Sequence, residues 1–199
     1  MQERPADNLE LIKRVLDKDY IELHLDKLVV DEDADETHSS VRLVLSDTNG
    51  RIIEVDGDGV GLVDAIIKAL LDRYGVEYPS VKSIEMASFT VSANIESKQD
   101  RAGVDSMARV TLGVLNSEGK LFEFSDESRS VSRSSARAVL AAVEYFVNAE
   151  RAFIALYRAR LDAKERRRDD LITRYTRELA EVVKSTSYAE VIEKMKRDL

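Results

Sequence analysis

Residues 41–55 read VRLVLSDTNGRIIEV, and residues 110–124 read VTLGVLNSEGKLFEF, 69 positions further along the chain. In both segments apolar residues alternate with polar ones on either side of a turn that ends in glycine, Gly50 or Gly119. Alternation with a period of two is typical of a strand with one buried face, and a glycine turn between two such runs indicates a β-hairpin. A short loop and an apolar helical pattern follow each hairpin. The chain therefore contains one supersecondary unit built twice.

A further alternating segment precedes each hairpin. Its apolar residues are Ile21, Leu23 and Leu25 in the first unit and, 70 positions further on, Val91, Ala93 and Ile95 in the second. We therefore expect each unit to be strand, strand, strand, helix, with a one-residue difference in the loop after the first strand. In the first unit, the acidic stretch 31–36 is expected to form that loop. The sequence predicts the α+β class, with duplicated β3α units in which helices pack between or against antiparallel three-stranded sheets, plus long C-terminal helices.

Helical spacing of apolar residues predicts the helices. A short amphipathic helix is expected at 7–17, and the helix of the first unit at 62–74, ending at Gly75. The second unit's helix is expected to start near Ser130 and to run on as one long helix or two, because residues 120–199 contain no glycine or proline. A last helix is expected to be capped at Ser187. An apolar stripe of that length needs a partner surface.

These elements predict three parts of the chain. Residues 1–19 form an N-terminal helix, residues 20–155 form the duplicated domain, and residues 156–199 form a helical extension. The two repeats within the duplicated domain are expected to span about 20–78 and 79–155.

Composition restricts the function further. The chain has 199 residues, no cysteine, 6% aromatic and 34% charged residues, so its core must be largely aliphatic. The absence of cysteine excludes a disulfide framework, thiolate zinc sites and a thiol nucleophile. The start of the sequence lacks the pattern of a signal peptide, and no apolar run approaches the roughly 18 residues of a membrane span. We expect a cytoplasmic protein without a membrane partner.

Charge is unevenly distributed along the chain. Residues 1–150 carry a net charge of −12 and residues 151–199 carry +4. A basic arm of this kind can bind nucleic acid, and retention on DNA or RNA at low salt would support that alternative. Here acidic residues alternate with the basic ones, so a solvated helix face with i,i+4 ion pairs is the preferred interpretation and no nucleic-acid partner is expected.

The glycine-rich segment 57–61 lies between a predicted strand and a predicted helix and is the most site-like feature of the sequence. Glycines allow close approach of backbone or ligand, and free N–H groups at a helix N-terminus attract anions. The segment lacks the Gly-Lys-Ser/Thr of a phosphate loop and the βαβ context of a dinucleotide fingerprint. A tight loop that only reverses the chain is the alternative.

Two segments resemble a known family. The sequence Gly-Val-Gly-Leu-Val-Asp-Ala at 59–65 is similar to the Gly-Asn-Gly-Pro-Val-Asp-Ala segment in the C-terminal allosteric and dimerisation domain of 2-isopropylmalate and citramalate synthases. Residues 130–138 resemble the Asp-Ile-Ile-Glu-Ala-Ser-Ala-x-Ala segment of the same domain. The resemblance covers about residues 18–155 and includes the duplicated β3α units.

The resemblance implies a regulatory function without catalysis. In that family the domain follows a catalytic TIM barrel, binds leucine or isoleucine at a dimer interface beside these loops, and contributes no residue to the barrel's metal site. Carried over to this sequence, the candidate ligand-binding residues are Gly59, Val60, Gly61, Asp64, Ser128 and Ser130. The implied partners are a second copy of the chain, a separately encoded TIM-barrel synthase subunit and a branched-chain amino acid. No cofactor or metal is implied.

The sequence departs from the family pattern at both loops. Val60 replaces an asparagine, Leu62 replaces a proline and Ser130 replaces an aspartate, and the basic segment after about residue 155 lies outside the pattern. These changes favour an alternative function, an interaction module that kept dimerisation and lost its ligand.

Other chemistry finds little support in the sequence. His24 and His38 have no ligand partners at metal-binding spacing and are expected at the surface. The acidic stretch 31–36 resembles the start of a calcium loop but lacks the glycine and glutamate that such a loop needs. No base and acid can be paired with the serines of 125–135, so an enzyme is not expected.

Overall fold

A computed structural model describes residues 6–33, 35, 37–93, 107–185, 188 and 191–193. The helices are α1 (Ala6–Leu16), α2 (Leu62–Gly75), α3 (Pro79–Lys82), α4 (Val131–Glu165) and α5 (Asp169–Val182), with 3-10 turns at Asp17–Asp19 and Val183–Ser185. The strands are β1 (Leu23–Asp33), β2 (His38–Asp47), β3 (Ile52–Gly59), β4 (Glu85–Ala93), β5 (Ala108–Leu115) and β6 (Leu121–Ser128). Along the chain, three strands followed by a helix occur twice, with α1 before the first of these units and α5 after the second.

The strands form two antiparallel three-stranded sheets, in the order β1-β2-β3 and β4-β5-β6. This confirms the predicted α+β class. The two hairpin turns have the same geometry, with Gly50 at φ 73 and Gly119 at φ 71, where a side chain would be strained. Asp47 closes the first turn by accepting from the N–H groups at 49 and 51, and Asn116 closes the second by accepting from those at 118 and 120.

The predicted match between the first strands of the two units was wrong. Leu25 pairs with Leu45, and Met86 pairs with Val114, the repeat counterpart of Leu45. Met86 is therefore the counterpart of Leu25, at an offset of 61 rather than 70 positions. Both strands have a bulge directly after these residues.

The error has a simple physical reason. Alternation repeats every two residues and cannot fix the register along a strand, and the bulge shifts its phase by one. The β1–β2 connection covers 34–37 and the β4–β5 connection covers 94–107. Ile95 lies outside the described residues.

The acidic stretch was also assigned wrongly in part. Asp31, Glu32 and Asp33 belong to β1 and pair with Ser40, Ser39 and His38. Their side chains are exposed at the sheet edge, where water solvates the carboxylates, so acidic composition does not prevent strand pairing there.

The core lies between the inner faces of the sheets and the helices α2 and α4. Its strand residues are Val41, Leu43, Leu45, Ile53 and Val55 in the first sheet and Val110, Leu112, Val114, Phe122 and Phe124 in the second. Helix α2 packs on β2 and β3, whereas α4 packs on β5, β6, β1 and α2. One helix thus joins the two units.

The C-terminal helices pack on their own chain. Phe153 and Leu156 of α4 form a second buried cluster with Leu179 and Val182 of α5 and with Tyr188. Helix α1 joins this assembly, since Arg14 Nη2 lies 3.1 Å from Glu178 Oε1 and Asn8 Nδ2 donates to the carbonyl oxygen of Glu181 at 3.1 Å. The apolar stripe of α4 is therefore covered by the two sheets and α2 in its first half, and by α5 and α1 in its second half.

Helix α4 passes without interruption through residues 155 and 156, where the boundary of the C-terminal extension was placed. The basic segment carries the expected ion pairs, including Arg166–Asp162 at 2.9 Å and Arg174–Glu178 at 3.1 Å, both at i,i+4 spacing. The predicted cap at Ser187 lies outside the described residues.

Candidate functional site

Two glycines of the first loop allow β3 and α2 to pack closely. A Cβ added at Gly57 would lie 2.5 Å from Ala69 Cβ, and one added at Gly59 would lie 2.5 Å from the backbone nitrogen of Ala65. These distances are shorter than any ordinary contact, so neither position has room for a side chain. Gly57 and Gly59 are therefore required for packing between the strand and the helix.

The next two residues of the loop are open to solvent. The side chain of Val60 is 68% exposed, and nothing lies within 4 Å of the position of a Cβ at Gly61. Gly61 is the N-cap of α2 in an extended conformation, and it provides no side chain to the N–H groups of the first helical turn. This part of the loop can be reached by a ligand without rearrangement of the core.

Asp64 lies in the first turn of α2 and folds back toward the loop. Its Oδ2 accepts the N–H of Val60 at 3.0 Å and the ammonium of Lys68 at 2.7 Å. The hydrogen bond from Lys68, and after it the one from the Val60 N–H, holds the pKa of Asp64 below its usual value. A carboxylate is thus fixed beside the N-terminus of α2, where the helix dipole favours negative charge.

The second loop is closed by its own serines. Ser128 Oγ donates to the carbonyl oxygen of Ser130 at 2.9 Å and lies 2.8 Å from Oγ of the buried Ser134. Ser130 is the N-cap of α4, and its Oγ accepts the N–H of Arg133 at 3.3 Å. A serine hydroxyl therefore accepts an N–H group in the first turn of α4. In α2 the cap residue provides no such side-chain acceptor.

The two loops occupy equivalent positions in their units, but their side chains differ in chemistry. Gly59 pairs with Ser39 and Ser128 pairs with Ala108, which keeps the 69-residue offset. In the first turn of the helix, Asp64 occupies the position of Arg133 in the second unit. The structure brings Gly59, Val60 and Asp64 together in one loop and Ser128 with Ser130 in the other, and the contacts of each loop are made within its own unit.

Polar side chains of α4 that the sequence reading missed hold the segment before β1. Asn148 is fully buried; its Nδ2 donates to the carbonyl oxygen of Ile21 at 2.7 Å and its Oδ1 accepts the N–H of Ile21 at 3.0 Å. Glu144, one turn earlier, accepts the N–H of Leu23 at 2.9 Å and the hydroxyl of Tyr20 at 3.0 Å. Burial raises the pKa of Glu144, and the two hydrogen bonds oppose that shift.

Glu150 of α4 has the same role at the start of the second unit. It is 2% exposed, and its Oε2 accepts from both the backbone N–H and the hydroxyl of Ser80, at 2.9 and 2.6 Å. Burial also raises the pKa of the neighbouring Tyr78 to about 12. In the sequence, Glu144, Asn148 and Glu150 interrupt an apolar helical stripe, and this interruption is the signal that could have identified them as buried polar residues with partners.

Two grooves lie near these elements. One of about 270 Å³ runs between β1 and α4, and its polar lining residues are His24, Asp126, Arg137 and Glu144. The other, of about 430 Å³, crosses the outer face of the first sheet beside Gly57 and Asp58. Both histidines are exposed, and His38 Nε2 lies 3.5 Å from Asp58 Oδ1. Among the described residues, no group of three or more side chains could hold a metal ion.

The site thus consists of two β3α units, with an exposed loop at the N-terminus of α2. A family model for the LeuA allosteric (dimerisation) domain matches residues 4–147, nearly three quarters of the chain. The chain belongs to this family. No curated protein matches the chain. In the part of the chain that the structure describes, no helix is long and apolar enough to cross a membrane.

Proposed function

We propose that the chain is a non-catalytic regulatory domain that forms a homodimer and binds a branched-chain amino acid at the N-terminus of α2. Family membership supports regulation and dimerisation. The observation that carries the ligand proposal is the open segment of the first loop, with exposed Val60, unobstructed Gly61 and the fixed carboxylate of Asp64. Binding would control a TIM-barrel synthase subunit encoded separately.

The loop offers complementary groups for each part of an amino acid. The uncapped first turn of α2 suits a carboxylate. Asp64 suits an α-ammonium group, which can replace Lys68 as its partner. An aliphatic side chain against Val60 leaves water, and full burial of such a side chain is worth about 1.5–3 kcal/mol.

Calorimetry and thermal shift with leucine, isoleucine, valine and their keto acids test this proposal. We expect saturable binding of at least one of them. Val60→Asp should abolish it, because a second carboxylate beside the uncapped turn repels the ligand's own. The matched control is Val76→Asp, at the opposite end of α2, where the side chain is 87% exposed; it should leave binding unchanged. Equal loss in both variants, or no binding by the wild type, contradicts the ligand proposal.

Control of a separate catalytic subunit needs its own test. Affinity capture with the full chain should recover a TIM-barrel synthase, and adding the ligand should change that enzyme's rate. If a barrel subunit binds and its rate does not respond to the ligand, regulation in trans is wrong.

A second candidate function is a dimerisation module that no longer binds a ligand. Three observations favour it: α2 fills the space beside Gly57 and Gly59, Asp64 is already paired with Lys68, and the serines of the second loop bind one another. A stable dimer without saturable binding of any tested metabolite would decide for this function.

A further inference from the structure

The strand β4 is an edge of the second sheet and carries no charged residue from Met86 to Ala93. Its counterpart β1, an edge of the first sheet, includes His24, Asp26, Lys27 and the acidic residues 31–33. Charged side chains on an edge strand oppose pairing with another chain. Charged residues are therefore spread along the edge strand of the first unit, whereas β4 carries one charged residue, Glu85, at its first position.

The inner face of β4 is also open. Met86, Phe89 and Val91 pair with Val114, Leu112 and Val110, which are at most 3% exposed. These three side chains of β4 thus lie on the same face as the core, yet Met86 and Val91 are each 47% exposed. The corresponding residues of β1, namely Leu25, Leu28 and Val30, pack against the core, and on β4 Phe89 does so as well. The inner face of β4 is therefore open at its two ends, at Met86 and Val91.

The difference follows from the unequal lengths of the two main helices. Helix α4 reaches β1 as well as β5 and β6, whereas α2 packs on β3 and β2. Beside β4, a small cleft of about 20 Å³ lies between Ile67 and Leu71 of α2, Met86 of β4 and Val139 of α4, and Glu85 also lines it. Met86 is the residue of the open face of β4 that also lines this cleft.

We propose that β4 pairs with β4 of a second copy, antiparallel about a twofold axis perpendicular to the sheet, so that two three-stranded sheets become one of six strands. The proposal rests on the homodimer proposed above and identifies its interface. Met86, Phe89 and Val91 would then be covered by the same residues of the partner copy.

Self-pairing is favoured over an unrelated partner strand by the composition of β4. In an antiparallel pair about a twofold axis, a residue on the axis faces its own copy, and every other residue faces the one at the same distance on the other side of the axis. A segment without charged residues therefore meets no like charge when it pairs with its own copy. Such like-charge contacts destabilise strand pairs. In β4 the outer-face residues Ser88, Thr90 and Ser92 are uncharged and small, whereas β1 carries charged residues at both of its ends.

Cysteine scanning provides a direct test, since the chain has no cysteine of its own. Single variants from Ser88→Cys to Ser92→Cys are oxidised, and disulfide-linked dimer is measured. In this arrangement one residue faces its own copy, with Cα atoms about 4.5–5.5 Å apart, within the range of a disulfide. We expect cross-linking to peak at one position and to fall on either side, and Val29→Cys on β1 to give none.

Val91→Lys tests the same interface without covalent chemistry. We expect it to raise the dimer dissociation constant by about 100-fold, or about 2.8 kcal/mol, in sedimentation equilibrium. The control Val29→Lys, at a 43% exposed position on β1, should leave it unchanged. Circular dichroism checks that both variants remain folded.

The outcomes separate the two proposals. A wild-type dimer that neither responds to Val91→Lys nor cross-links through β4 overturns the β4 interface and leaves dimerisation intact. A wild-type chain that stays monomeric at every soluble concentration overturns the homodimer, and the interface with it.

Discussion

Gly59 and Gly61 are two residues apart in the same loop, but only Gly59 lies where a side chain has no room. A side chain at Gly59 would collide with the backbone of α2, whereas a side chain at Gly61 would meet open space. The second unit has serine at both corresponding positions, and Ser130 there caps its helix.

The same substitution at these two glycines should therefore change stability in opposite directions. Gly59→Ser should lower the free energy of unfolding by about 1–3 kcal/mol, because the strand and helix must move apart. Gly61→Ser should raise it by a few tenths of a kcal/mol, because serine is a slightly better N-cap than glycine. Urea denaturation measures both, and equal effects would contradict the packing role of Gly59.

At the scale of elements, α4 organises the chain through its buried polar side chains. Asn148 forms hydrogen bonds with both the N–H and the C=O of Ile21. Glu144 accepts the N–H of Leu23, and Glu150 accepts the N–H of Ser80 at the start of the second unit. Backbone groups that lose such partners inside a protein carry a desolvation cost that no apolar contact offsets.

Asn148→Ala should accordingly destabilise the fold by about 2–4 kcal/mol, since it leaves one N–H and one C=O without a partner. Arg158→Ala, at an exposed position of the same helix, is the control and should change stability by less than about 0.5 kcal/mol. Chemical denaturation of both variants measures the difference. A small effect at Asn148 would mean that water replaces its amide.

At the scale of the whole molecule, α5 connects the end of the chain to its beginning. Val182 is fully buried in the cluster with Phe153 and Leu156, while the next residue, Val183, is 38% exposed. Because Asn8 and Arg14 of α1 bind α5, release of α5 also removes contacts of α1.

Val182→Asp should lower stability by about 3 kcal/mol or more, because it buries an unpaired charge. Val183→Asp should cost less than about 1 kcal/mol. Hydrogen exchange should show loss of protection in α1 as well as in α5 for Val182→Asp alone. Unchanged exchange in α1 would show that the two helices open independently.

The sequence was most informative where a pattern has one structural solution. Alternation around Gly50 and Gly119, with the constant offset of 69, was enough to predict both hairpins and the class of fold. The register of β4 could not be predicted, because a bulge and a longer connection change the offset while preserving alternation. The sequence left open whether one long helix or two follow Ser130, since Arg167 adopts φ 54 at a position where glycine is the usual signal of a helix end.

The candidate site was predicted only in part. The sequence located both loops and the open positions Val60 and Gly61. It could not show that Gly57 and Gly59 are needed for contact with Ala65 and Ala69, since glycines for packing and for ligand approach look alike in a sequence. The partners of Asn148 and Glu150 lie far away along the chain, and only the folded arrangement identifies them.

The 35 residues of α4 make it about 52 Å long. Its first turn is fixed by Ser130 in the second loop, and its other end is the exposed turn at Arg167. For a rigid helix of this length, a tilt of one degree about the loop would displace the far end by about 1 Å. A spectroscopic label beside Arg167 would therefore report a tilt of α4 more sensitively than one beside Ser130.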